Sequence, residues 1–355
     1  MTKLLCVGVL LLATIPACAT CVVRICDLAY APQPPNPITV AGRVTSEAPL
    51  VLTDGRGALT VTGITAQNGD FLVVEGDYDG NVLVVSQGAD KATLLPASVV
   101  MEMVYVPAGP FQMGNNGDEA YSYPDELPLH EVNLPAYWMG RSEVTRGQYR
   151  CFMDAGGYSN PAYWSAEGWA WRVNKGRTTP DYWADVQTWG GHTFTQSESH
   201  PVVGVTYPEA AAFCTWAGVR LPSEAEWEKA ARAGGTQPYT YPWGYAWNIE
   251  ACNHWYDSNA AGGGLASYQT APVGSYPAGD SRFGCQDMSG NVWEWVADWY
   301  VSYPGSSSPF DYTGSMRVLR GGSWYDIGTN YARCAVRSIK GPNDTWYMVG
   351  FRCAR

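Results

Sequence analysis

Positive charge is scarce in this chain. Lysine and arginine total 22 against 33 aspartates and glutamates, a formal net charge of −11. A nucleic-acid binder needs a basic face to displace counterions from phosphate, so no nucleic-acid partner is expected. Residues 28–100 make the point locally, with only Arg43, Arg56 and Lys91 as cations. Histidine is scarcer still: His130, His192, His200 and His254 are the whole set, scattered and without H-x-x-x-H spacing. No P-loop, dinucleotide glycine motif or Ser-His-Asp order is visible. No paired C-x-x-C zinc arrangement occurs, since Cys18-x-x-Cys21 stands alone. Tryptophan is absent until Trp138, so the first third is a different kind of structure from the rest. No internal repeat or low-complexity tract appears.

Glycine and proline are abundant, at 39 and 24 of 355 residues, which favours a loop-rich fold over a helical bundle. The length suits two domains. The start reads as an export signal over residues 1–19. Lys3 leads, Leu4 to Ile15 is an apolar run too short to span a bilayer comfortably, and Ala17-Cys18-Ala19 fits small-residue cleavage. Ile15-Pro16-Ala17-Cys18 also matches a lipoprotein box in part, which would put lipid on Cys18. The alternative is a retained apolar helix that packs in an assembly. Ten cysteines agree with an oxidising compartment, so the expected location is secreted, periplasmic or cell-surface.

A Pro-rich linker over 20–37 contains Pro32-Gln33-Pro34-Pro35-Asn36-Pro37, a stiff extended segment. Residues 38–100 then read as a small β domain, OB-like or a sandwich. Alternation marks strands at 38–45, 58–63, 71–78 and 82–86, with turns at Asp54-Gly55, Asn68-Gly69 and Asp79-Gly80-Asn81. The basic, aromatic-rich face of single-strand binders is missing, so a spacer or a self-assembly module is expected. An exposed strand edge could pair with a neighbouring subunit.

Residues 101–355 form the second domain in an α+β reading of the chain. Thr145 should cap a helix running through Tyr149, and Pro208 to Ala217 reads as another, ended by Gly218. Ser223 with Glu226 three residues on makes a capping box for a third helix, with Ala225, Trp227 and Ala230-Ala231 turned inward.

Five ordered motifs run through this domain. They are His200-Pro201-Val202-Val203-Gly204-Val205, Arg220-Leu221-Pro222-Ser223-Glu224-Ala225-Glu226-Trp227-Glu228-Lys229-Ala230-Ala231-Arg232, Gly290-Asn291-Val292-Trp293-Glu294-Trp295, Arg320-Gly321-Gly322-Ser323-Trp324 and Gly350-Phe351-Arg352-Cys353. Together they resemble the formylglycine-generating enzyme family, also called the sulfatase-modifying factor family. That resemblance implies a loop-rich, C-type-lectin-like fold. It also implies a disulfide between Cys214 and Cys353. Pairings of Cys252 with Cys285 and of Cys151 with Cys334 are open guesses.

The resemblance further implies a calcium site made by Asp287, Gly290, Val292 and Glu294, with side-chain oxygens from the two acids and backbone carbonyls from the other two. Hard oxygen donors of this kind suit calcium. The alternative is a turn held by hydrogen bonds without metal. A second family calcium site would use Asn253 and His254, with Asp257 as a substitute acid. Active members carry two cysteines at the third and eighth places after the serine that matches Ser323, and these bind copper. Here those places hold Asp326 and Tyr331, and no cysteine lies between Cys285 and Cys334. Copper is therefore not expected. Iron-dependent sulfoxide synthases share the fold but need a histidine cluster, which the scattered histidines do not supply.

Trp324, Tyr325, Asp326, Tyr331, Trp346 and Tyr347 lie in turn-rich C-terminal sequence and are the candidate ligand-binding residues. Tryptophan and tyrosine suit positions with one face buried and one edge on a ligand. Trp227, Trp293 and Trp295 read instead as core. The same C-terminal span also looks like the variable C-termini of proteins diversified by retroelements. The expected function is an exported, non-catalytic protein serving binding of an unknown extracellular ligand or protein, or surface assembly. The alternatives are an enzyme oxidising a cysteine of a partner protein, a structural subunit of an extracellular filament, and a retroelement-diversified receptor.

Overall fold

The structure is a computed structural model. It describes residues 101–355 apart from 102, 118–121, 190–191, 233–237, 256–268, 308–309 and 327–328. Within residues 1–100 it describes only the backbone of seven strands, β1 (Val7–Val9), β2 (Val23–Ile25), β3 (Asn36–Arg43), β4 (Val51–Thr53), β5 (Ala58–Thr60), β6 (Phe71–Tyr78) and β7 (Leu83–Val84). Strand β6 pairs with β3 and β7, both antiparallel. The expected signal at 1–19, linker at 20–37 and OB-like or sandwich domain at 38–100 otherwise lie outside the described residues.

The described part of the second domain is α+β. Two antiparallel ladders open it. β8 (Met103–Val106) pairs with β11 (Tyr137–Gly140), and β9 (Gly109–Met113) with β10 (His130–Leu134). Four helices follow, α1 (Arg146–Asp154), α2 (Ala166–Lys175), α3 (Tyr207–Trp216) and α4 (Glu224–Arg232), with a hairpin of β12 (Val186–Trp189) and β13 (His192–Thr195) between α2 and α3. The last sheet has the order β16-β15-β14-β17, from β14 (Trp293–Trp299), β15 (Arg317–Arg320), β16 (Arg337–Lys340) and β17 (Val349–Phe351). Only its β14–β17 pairing is parallel.

Local chemistry sets the helix starts. Thr145 caps α1, and Gln148 returns the bond to the Thr145 backbone. Thr206 and Glu209 do the same for α3. Ser223 Oγ accepts from the Glu226 amide at 3.2 Å, and Glu226 accepts from the Ser223 amide at 2.8 Å. Each reciprocal cap satisfies two amides that a helix start leaves without partners. The first half of β14, Trp293 to Val296, is buried on both faces, the carboxylate of Glu294 included. Trp227 and Trp295 are fully buried and Trp293 nearly so, as expected of core residues.

The C-terminus ties these layers together. Ala354 bridges to both Met139 and Arg220. The Trp138 and Arg355 backbones exchange hydrogen bonds of 2.9 and 2.8 Å. An aromatic core fills the space between: Tyr149 stacks on Phe213 at 5.5 Å, and Phe351 meets Phe213 edge-on at 5.4 Å.

Helix α4 turns Trp227, Ala230 and Ala231 inward as expected, while Ala225 is only half-buried, and its charged residues Glu224, Glu226, Glu228, Lys229 and Arg232 are buried too. Partners for Glu224 and Glu228 come from strands distant in sequence. Arg337 forks onto Glu224 at 2.7 and 2.9 Å. Arg320 reaches Glu228 from β15.

Asp298 gives this network a pH signature. Its Oδ2 accepts from the Glu224 amide at 2.6 Å. Burial, then the nearby Glu224 charge, raises its pKa from 3.8 to about 6. The protonated form therefore favours the folded state. That contribution is full below the unfolded value and is lost as pH rises through the folded one. In Asp298→Asn the fall in melting temperature between about pH 4 and pH 6.5 should be shallower than in the parent. An unchanged slope would show that Asp298 is not a source of it.

Candidate functional site

The segment from Asp287 to Val292 is a tight turn beneath the last sheet. Asp287, Gly290 and Asn291 all take left-handed backbone, with φ of 53°, 77° and 58°. Gly290 is needed there for space as well, since a Cβ would stand 2.2 Å from the Asn253 carbonyl oxygen. The turn is pinned by Gly290 donating to Gly321 O at 2.8 Å and Asn291 to Asn253 O at 2.8 Å.

Two buried carboxylates meet at this turn. Asp287 Oδ2 accepts from the Gly274 amide at 2.6 Å. Glu143, just before α1, accepts at Oε1 from Asn291 Nδ2 at 3.0 Å, while its Oε2 is buried without a donor among the described residues. Burial raises Asp287 to about 6. Glu143 is raised well above the usual carboxylate range by burial and then by the Asp287 charge.

Glu294, the fourth expected calcium ligand, is placed differently. Arg352 forks onto it, Nε to Oε2 and Nη2 to Oε1, each at 2.7 Å. The Trp227 indole donates to the same Oε2 at 2.8 Å. All three side chains are fully buried. Both oxygens of Glu294 are thus committed to protein donors, and the expected set of Asp287, Gly290, Val292 and Glu294 does not come together as four free donors. Sequence reading missed Glu143 because it stands about 150 residues upstream, in a motif that read only as a helix start. Asn253 and His254 are also engaged: Asn253 Nδ2 donates to Gln269 O at 2.9 Å, and the His254 ring packs edge-on against Trp247 at 4.8 Å. Asp257 lies outside the described residues.

The second candidate region surrounds Ser323. Ser323 Oγ donates to Asp326 Oδ2 at 2.6 Å. Burial raises the Asp326 carboxyl, and the Ser323 bond opposes this. Around them lies an aromatic face. Tyr347 contacts Trp324 at 5.7 Å, Tyr325 at 5.7 Å, Trp346 at 6.5 Å and Tyr182 at 5.9 Å. Trp255 meets Tyr325 at 5.3 Å, and Tyr331 lies beside Tyr123 at 6.3 Å. Trp324 is buried beneath the face, Trp346 is 37% exposed, and the tyrosines are half-buried. Lys340 Nζ sits 3.5 Å from the Trp346 ring centre, a cation already held on this face.

Five of the six expected ligand residues thus gather in one place, with Tyr331 at its edge. Sequence reading missed Tyr182 and Trp255. Tyr182 carried a local signal only in the structure: its φ of 58° is rare for a bulky residue, and such strain is concentrated at functional sites.

A family model described as the sulfatase-modifying factor enzyme 1-like domain matches residues 91–355. The chain belongs to this family. It is 39% identical over 256 residues to hercynine oxygenase of Mycolicibacterium smegmatis, covering 66% of this chain and 58% of that protein. It is 34% identical over 292 residues to the formylglycine-generating enzyme of Thermomonospora curvata, covering 73% and 95%. Among solved structures, PvdO from Pseudomonas aeruginosa is similar with a TM-score of 0.51 and 29% identity, over 72% of this chain and 94% of that one. The chain spans little more than half the length of the hercynine oxygenases it matches. The formylglycine-generating-enzyme type of C-type-lectin-like fold read from residues 101–355 is the fold observed.

At the two places after Ser323 where the family resemblance implies copper-binding cysteines, the chain has Asp326, held by Ser323, and Tyr331, at the edge of the aromatic face. The remaining cysteines lie elsewhere. Cys285 is fully buried, its thiol pushed up to about 11 by burial. Cys252 lies 3.6 Å from His254 Nδ1, in a separate small cluster with Tyr241. Cys151 and Cys334 pack in different cores, so the guessed pairings with Cys334 and Cys285 are not formed.

Cys214 and Cys353 do meet. Their sulfurs are 3.6 Å apart, both buried, as free thiols. Oxidised glutathione should remove two thiols in a dithionitrobenzoate titration of the unfolded chain and stabilise the fold by about 2–4 kcal/mol. Cys214→Ser should abolish both effects. Retention of either effect in that variant would assign it to another pair.

Proposed function

We propose that this domain binds a ligand through its C-terminal aromatic face and does not carry out copper-dependent cysteine oxidation. One observation carries the reading. The two places where active relatives keep copper-binding cysteines hold Asp326 and Tyr331, and these are built into a face of half-buried rings. Rings with one side packed and one edge open favour flat or cationic groups, and a neighbouring carboxylate adds attraction for a cation. The Lys340–Trp346 contact supports the same preference.

The test is a binding screen read by tryptophan fluorescence, with choline, an arginine-rich peptide and a neutral oligosaccharide as probes. Saturable quenching by a cationic probe, weakened at least tenfold in Tyr325→Ala and Tyr347→Ala, is expected. Binding unaffected by both substitutions would place the ligand elsewhere.

A second reading is favoured by the 39% identity to hercynine oxygenase. The chain would then be the half of an oxygen-using enzyme that positions substrate, with iron ligands supplied from outside the described residues. His130 Nδ1 lies 2.8 Å from Pro128 O, and His200 Nδ1 is 2.9 Å from Ser197 Oγ. These rings are held in separate places. Oxygen uptake by the chain with Fe(II) and hercynine would favour this second reading over the first. Export, with a cleaved or lipidated segment before residue 20, is part of the first reading. Its check is N-terminal sequencing of the mature protein. Self-assembly through the N-terminal strands would show as concentration-dependent size in sedimentation.

A further inference from the structure

The aromatic face is assembled from loops, and one carboxylate outside it ties two of them together. Tyr182 comes from the loop before β12, and Trp346 and Tyr347 come from the loop between β16 and β17. Asp181 stands next to Tyr182 in the chain. Its Oδ1 accepts from Arg177 Nη1. Its Oδ2 accepts at 2.5 Å from Oγ1 of Thr345, the residue before Trp346. Arg177 is itself anchored, since Nε and Nη2 fork onto Glu209 at 3.0 Å each. Glu209 is fully buried in α3. The backbones are tied at the same place. The Asp181 amide donates to Gly204 O at 3.1 Å, and the Gly204 amide donates to Trp346 O at 3.0 Å. Gly204 allows this approach, because a Cβ there would stand 2.2 Å from the Asp181 carbonyl oxygen.

Two observations separate this arrangement from an ordinary surface ion pair. Tyr182 holds a φ of 58°, a conformation that persists only where the surroundings fix it. Asp181 is 46% exposed, and ion pairs in that setting contribute little to global stability. We propose that Asp181 is the positioning residue of the aromatic face. With Arg177 and Thr345 it clasps the Tyr182 and Trp346–Tyr347 loops to α3, so that these rings are ordered before a ligand arrives. Rings already fixed spare a ligand the loss of freedom that ordering them would cost. The inference rests on the aromatic-face reading.

The experiment uses the full chain as parent, Asp181→Ala, Thr345→Val and Thr345→Ser. Amide hydrogen exchange is followed by mass, and choline is the binding probe. In Asp181→Ala and Thr345→Val, exchange should quicken at residues 181–183 and 345–348 and stay as in the parent elsewhere. Both should melt within about 4 °C of the parent and bind choline roughly tenfold more weakly. Thr345→Ser keeps the hydroxyl and should match the parent in exchange and in binding. Unchanged exchange at both segments in Asp181→Ala would overturn the clasp. So would a large fall in melting temperature with faster exchange throughout, which is the mark of a merely structural role. Parent-like choline binding in a variant whose loops have loosened would overturn the positioning role. A parent that binds no choline counts against the aromatic-face reading, and the local exchange then decides the clasp by itself.

Discussion

Glu228→Leu is expected to destabilise this domain by about 3–5 kcal/mol, the usual cost of removing one partner from a buried ion pair. Glu228 is fully buried in α4 and holds three things at once. Its Oε1 accepts from the Gly114 amide at 2.7 Å and from Arg232 at 2.8 Å. Its Oε2 takes Arg320 of β15, which also donates to Ala335 O and Cys334 O. The carboxylate thus joins the opening ladders, α4 and the last sheet. Leucine would leave two guanidiniums in the core with fewer acceptors. Urea denaturation measures the loss. Adding Arg320→Met to the same chain should recover part of it, since an apolar pair of similar volume removes the stranded charge. A loss below about 1 kcal/mol in the single variant would show that water reaches these groups.

Arg352→Met should cost at least as much, about 3–5 kcal/mol, with a different remedy. Arg352 is the cation that three buried acids share, and the Glu143 and Asp287 charges are both held down by it. Without it, Glu294 keeps only the Trp227 indole, at 2.8 Å, as a side-chain donor among the described residues. The variant should be more stable at about pH 5 than at pH 8, because acids whose folded pKa is raised lose stability as pH rises. Thermal melts at the two pH values measure this, and equal stability at both would show that Arg352 does not hold these acids down.

Much of the fold was legible because its signals are local. The Thr145 cap and the Ser223–Glu226 box are local signals, and the structure uses both. The aromatic face was legible in part because Trp324, Tyr325, Trp346 and Tyr347 crowd one stretch of turn-rich sequence. Tyr182 and Trp255 reach the same face from before α3 and after α4, and nothing in their own neighbourhoods announces it. The burial of the α4 acids was not legible for a related reason. Helical spacing reports which residues share a face, but not that arginines from β15 and β16 will enter to neutralise them. Glu294 shows the limit of motif transfer. Its position in Gly-Asn-Val-Trp-Glu-Trp suggested a metal ligand, and the structure gives both its oxygens to Arg352 and Trp227.

The most direct measurement is aldehyde formation on a cysteine peptide of the sulfatase type. The purified chain would be supplied with Cu(I) and oxygen, and the peptide read by mass. The chain has Asp326 and Tyr331 where active relatives have their cysteine pair, and no cysteine between Cys285 and Cys334. No aldehyde should form, and the recovered protein should hold no stoichiometric copper. Copper-dependent turnover would contradict the account and show that another pair of residues carries the chemistry.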